Sequence, residues 1–145
     1  FSVQLYDDLI RICCVKESEI RNFIFDNLNT NWILSDVHKE IYDKIYIHLK
    51  SENEPPINII TEQISAKNIR QKFVDLTFDL EKLNPSIQMA IDCLVRLEQS
   101  IMKNQLDLIR EKLRGENQQS DDILTQLLKL EKEISNIKNK YNVEK

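Results

Sequence analysis

After Pro85 the chain has no further proline and no glycine until Gly115, which is the only glycine in 145 residues. Nothing in that stretch interrupts a helix, because Gly and Pro are the residues that weaken or break one. Asn84-Pro85 reads as its start: Asn caps free N–H groups with its side chain, and Pro is pre-set for the first helical position. The segment 85–114 is therefore expected to make about eight helical turns, about 45 Å long at about 1.5 Å per residue. Gly115 suits the left-handed residue that closes a helix, and Arg110, Lys112 and Arg114 bring positive charge to its negative end. Ser120-Asp121 reads as a second start. From there Ile123, Leu127, Leu130, Ile134, Ile137 and Tyr141 recur at spacings of four and three, the apolar seam of an antiparallel partner helix. A helix this long outruns a small core, so the pair is expected to reach a partner.

The long helix carries two apolar stripes that do not line up. Ile87, Ala90, Ile91, Leu94, Leu97 and Ile101 share one face. Met102, Leu106, Ile109 and Leu113 share another, rotated by roughly 90° when each residue advances the helix by about 100°. Such a helix packs against two bodies. The expected organisation is all-α: a helical bundle over 1–101, joined by the shared helix to a C-terminal antiparallel helical hairpin over 102–145.

The upstream helices are shorter. Leu5, Leu9, Ile12 and Cys13 predict a helix over about 3–14, and Ile20, Phe23, Ile24 and Leu28 predict one over about 18–28. Ser35 can cap a third, with Val37, Ile41, Ile45 and Leu49 as its buried stripe. Pro55-Pro56 breaks the chain and starts a short helix with Ile57, Ile60 and Ile64. Ile69, Phe73, Leu76 and Leu80 mark another over about 67–82. The breaks between these helices are short, which favours antiparallel neighbours in one bundle. The tail 139–145 is expected to fray. Phe1-Ser2 at the start, in place of Met, is what a domain excised from a longer protein would show.

Composition limits the function classes. Hydrophobic residues make up 41% and charged residues 30% of the chain, the balance of a soluble, nearly all-helical domain. The net charge is −4, with carboxylates outnumbering basic residues 15 to 10 over 1–95 and nearly matching them, 9 to 10, over 96–145. Strong nucleic-acid binding is therefore not expected, since phosphate neutralisation needs a concentrated basic surface. No apolar run approaches the roughly 18 residues of a membrane span, and no signal peptide is visible. Cys13, Cys14 and Cys93 are odd in number and lie on apolar helix faces. They read as buried thiols of a reducing cytoplasm.

Catalytic motifs are scarce. One glycine leaves no material for a P-loop or a dinucleotide-binding turn. There is no Cys-x-x-Cys, and His38 and His48 lie ten apart on one helix, not at ligand spacing. Asp7-Asp8, Asp121-Asp122, Glu131 and Glu133 read as solvated faces and helix starts. Trp32 is expected to plug the bundle. No catalytic, metal or cofactor-binding residue is expected, and the chain does not read as an enzyme.

What remains is surface for partners. On the last helix Leu124 and Leu128 sit about 100–140° from the seam, so the hairpin does not cover them. Leu108 is similarly off the seam of the long helix. Leucines clustered on a projecting element mark a docking site more often than noise. Leu108, Leu124 and Leu128 are the candidate partner-binding residues.

Several stretches resemble the C-terminal helicase-interacting domain of bacterial DNA primase. They are Leu-Ile-Arg-Ile at Leu9 to Ile12, Val37-His38-Lys39-Glu40-Ile41-Tyr42, Ala90-Ile91-Asp92-Cys93-Leu94, and Asp121 to Leu128 at the opening of the last helix. The resemblance implies a non-catalytic module that docks a primase on the N-terminal tier of the hexameric replicative helicase, with the hairpin as main contact. It places the metal-binding carboxylates of primer synthesis in a separate domain. The N-terminal domain of the replicative helicase resembles the same bundle and hairpin and is one alternative. A helical adaptor or scaffold outside replication is another. The heptad seam is confined to two adjacent helices, so an intramolecular hairpin is expected over a long intermolecular coil, and the chain is expected to be monomeric alone.

Overall fold

A computed structural model of the chain describes residues 3–49, 56–115, 121–137 and 139–141. Among these residues the regular structure is seven α-helices and two 3-10 turns with no strand, so the protein is all-α. The helices are α1 (Val3–Cys13), α2 (Ser18–Asn27), α3 (Asp36–Leu49), α4 (Ile57–Gln63), α5 (Lys67–Thr77), α6 (Ile87–Gly115) and α7 (Asp121–Ile137). No helix is long and apolar enough to cross a membrane.

Three local differences from the sequence reading have physical causes. The long helix begins at Ile87, and its cap is Ser86 in place of Asn84: the Ser86 Oγ accepts the Met89 N–H at 3.1 Å. Ser caps as well as Asn, so the hydroxyl nearer the helix takes the role. Helix α5 stops at Thr77, and a separate 3-10 turn follows over Leu80–Lys82. The Thr77 hydroxyl bonds back to the carbonyls of Phe73 (2.9 Å) and Val74 (3.3 Å), which competes with the last helical turn. Gly115 is the last residue of α6, and no described residue has a positive φ. The expected turn at 116–120, Pro55, Phe1-Ser2 and the tail from 142 lie outside the described residues.

The chain divides into two compact units, residues 1–94 and 95–145, with the division inside α6. In the first, α1 packs against α2, α3 and α5, α3 packs against α4 and α5, and α4 packs against α5. Leu9, Ile10, Ile24, Ile41, Ile45, Leu49, Ile60, Ile64, Phe73 and Leu94 are fully buried. Their spacing of three and four puts one face of each helix inward.

Arginines secure the helix ends in this unit. The guanidinium of Arg21 is wholly buried and donates to the carbonyls of Val15 and Lys16, just past the end of α1. Arg70 Nε donates to Ile64 O at 2.9 Å, the carbonyl that follows α4, and Arg11 donates to Leu76 O at 3.1 Å near the end of α5. Carbonyls at helix C-termini lack intrahelical donors, and a cation there also meets the negative end of the dipole.

In the second unit α7 runs antiparallel to α6. Glu98 meets Lys140 at 3.2 Å, Gln99 donates to Ile134 O at 3.5 Å, and Arg110 meets Glu131 at 2.9 Å. Along the seam Leu106 and Ile137 are buried, while Met102, Ile109, Leu127, Leu130 and Ile134 are half-buried.

Candidate functional site

The three candidate leucines are exposed. Leu108 is 64% exposed on α6, and Leu124 and Leu128 are 38% and 67% exposed on α7. They do not form one cluster. Leu108 lies in a shallow groove of about 440 Å³ with Gln105 and Ile109 of α6 and Gln126, Lys129, Leu130 and Glu133 of α7. At about 100° per residue, Gln126, Lys129 and Glu133 stand about 60–120° to one side of the α7 seam, and Leu124 and Leu128 stand about 100–140° to the other. The helical pair therefore presents two apolar flanks. Leu108 belongs to the first, and Leu124 with Leu128, one turn apart, forms the second.

The first unit also exposes apolar side chains that the sequence reading passed over. Phe78 is 75% exposed, just past α5, and Val74 is exposed one turn earlier. The signal was there, since these residues fall four apart and off the Ile69–Phe73–Leu76 stripe.

A second cleft of about 440 Å³ lies within residues 1–94, lined by Cys14, Val15, Lys16, Glu17, Ile57, Leu80, Glu81, Leu83 and Pro85. Its one thiol is a poor nucleophile. Burial pushes the Cys14 pKa from an ordinary 9.0 to about 12, against a smaller opposing pull from the Arg21 charge. Burial also holds Cys13 well above its ordinary value, with Cys14 and Cys93 adding to the effect. All three cysteines are buried, and at neutral pH thiols raised as those of Cys13 and Cys14 are stay protonated and act as apolar packing. Among the described residues no group of three or more His, Cys, Asp or Glu is placed to hold a metal ion.

One constellation was not legible in the sequence. The rings of His38 and Tyr6 lie 5.4 Å apart. His38 Nδ1 is 2.6 Å from the Ser35 hydroxyl and Nε2 is 2.7 Å from Asp7 Oδ1. Lys72 pairs with the same carboxylate at 3.2 Å, so Asp7 is not a solvated helix residue as the sequence suggested. The order Ser–His–Asp is that of an activated nucleophile, and the same bonds fasten α1 to α3. The Ser35 Oγ already accepts the His38 N–H at 3.3 Å as the cap of α3, and His38 is buried. Neither cleft described above includes Ser35, His38 or Asp7. Tyr6 extends the network: its hydroxyl donates to Trp32 O at 3.3 Å and accepts the Leu34 N–H at 3.1 Å. These bonds tie α1, α3, α5 and the segment before α3 together. Half-buried Trp32 enters the network through its carbonyl.

The chemistry on offer is thus a helical core that holds the Asp7, Ser35, His38 and Lys72 network and a helical pair with two open apolar flanks. No family model, no curated protein and no solved structure matches this chain.

Proposed function

We propose that this chain is a non-catalytic protein-docking domain of a cytoplasmic DNA primase, and that it binds the N-terminal tier of the hexameric replicative helicase through residues 95–145. The observation that carries the docking part is the exposure of Leu124 and Leu128 on one face of α7, with Leu108 on the other flank of the same pair. Isolated surface leucines are ordinary, but two on adjacent turns of one helix make a ridge that a partner groove can take. The choice of partner rests on the resemblance of Leu9–Ile12, Val37–Tyr42, Ala90–Leu94 and Asp121–Leu128 to the primase domain. Docking would place primer synthesis beside the unwinding fork, with the polymerising chemistry supplied by another domain.

The test is isothermal titration of the replicative helicase N-terminal domain into the full chain and into the variant with both Leu124→Ala and Leu128→Ala. Circular dichroism serves as the folding control. Interface anchors cost more than about 1 kcal/mol each when truncated, so the double variant should bind at least about tenfold more weakly with unchanged helicity. Absence of binding by the wild-type chain would remove the helicase from the reading. Equal binding by both proteins would remove the leucine ridge. The chain should also neither polymerise ribonucleotides nor hydrolyse nucleoside triphosphates in the presence of Mg²⁺ or Zn²⁺.

A further inference from the structure

We infer that the Leu108 flank is a self-association surface, on which a second copy of this chain pairs with its 95–145 unit about a two-fold axis. This inference departs from the monomer expected from the sequence, and it does not rest on the helicase reading.

The flank has an apolar centre. Leu108, 64% exposed, lines the shallow groove together with half-buried Ile109 and Leu130. A two-fold operator sets this patch of one copy against the same patch of the other, which is the condition for an isologous interface.

The flank is also self-complementary in charge. Lys129 and Glu133 line the groove one helical turn apart. Neither has an ion-pair or hydrogen-bond partner among the described residues, whereas Arg110, Glu131, Glu98 and Lys140 are engaged within the pair. An antiparallel copy of α7 sets each Lys129 against the other chain's Glu133, so one operator satisfies all four charges. Arg110 reaches Glu131, which puts Leu108 beside the Lys129–Glu133 turn and near that axis. Leu124 and Leu128 point to the other side of α7 and remain open, so self-association and docking do not compete for them.

Sedimentation equilibrium of the full chain over a concentration series tests this. The weight-average mass should rise from 17.2 kDa towards twice that value as concentration increases. Leu108→Glu should raise the dimer dissociation constant at least about tenfold, the effect of losing about 1.4 kcal/mol or more. Lys129→Glu should weaken the dimer as well, because it turns two facing ion pairs into two repulsions. The decisive variant is the double exchange Lys129→Glu with Glu133→Lys, which restores complementarity under a two-fold axis and should return the dissociation constant to within about twofold of wild type. All three changes are on exposed positions, and circular dichroism checks that the helices persist. A mass that stays at 17.2 kDa up to about 1 mM overturns the inference. So does a dimer that survives Leu108→Glu or is not recovered by the double exchange, and so does one lost only on Leu124→Ala with Leu128→Ala.

Discussion

Residues 1–94 and 95–145 are built from the same kind of amphipathic helix, yet they dispose of their apolar side chains in different ways. In the first unit Leu9, Ile24, Ile41, Ile60, Phe73 and Leu94 are among the fully buried side chains, and six helices contribute to that core. In α7 the only buried side chain among those described is Ile137, and the other seam residues are half-covered. Six helices can close around a core from every side. Two helices share one seam and leave both flanks to solvent. Polar groups follow the same division. Asp7, His38, Ser35 and Lys72 are linked inside the first unit, whereas Lys129 and Glu133 on the second stand without partners among the described residues. In the first unit these groups are taken up by one another, and in the second they are left over.

The largest effect that could break this contrast belongs to the first core. Phe73→Ala empties a fully buried site and should cost about 3–5 kcal/mol in urea denaturation followed by circular dichroism. A cost under about 1 kcal/mol would show that the core is loosely packed. Ile137→Ala removes the one buried anchor of α7 and should cost less, about 2–3 kcal/mol, with the loss of amide protection confined to residues 95–141. His38→Ala leaves Ser35 and Asp7 each short of a partner, at about 1–3 kcal/mol by the same denaturation assay.

A pH effect separates the units in another way. In the folded chain Cys14 keeps its proton up to about pH 12, while in the unfolded chain the thiol ionises near its ordinary 9.0. The unfolded state therefore binds fewer protons above pH 9, and stability falls as pH rises from about 9 to about 12. By pH 10 the loss should be about 1 kcal/mol for this thiol, and Cys14→Ala should remove that share while the share of the likewise buried Cys13 remains. The smallest effect is on the exposed ridge. Leu124→Ala and Leu128→Ala should each change stability by less than about 0.5 kcal/mol, since neither is buried.

The two units were legible in the sequence to different degrees. Helices α1, α2 and α3 start and stop within a residue or two of the apolar spacing that predicts them, because a single face on a closed core leaves a regular pattern. The Asp7–His38–Lys72 cluster left no such trace. Its members lie 31 and 65 residues apart in the chain, and only packing joins them. Ser35 was read correctly as a cap, which is a local signal, while its bond to the His38 ring was not. On α7 the outward direction of Leu124 and Leu128 follows from helical angle alone. The groove beside Leu108 does not, because it forms only where α6 and α7 meet.

Native-state hydrogen exchange on the full chain measures the contrast between the units most directly. Amides of α1, α3 and α5 should exchange only through the opening of the whole first core. Those of α7 should exchange at a distinctly lower opening free energy, because one half-covered seam holds them. A single opening free energy shared by α1, α3, α5 and α7 would contradict the account, since it would mean that residues 95–145 have no independent opening and are part of one closed core.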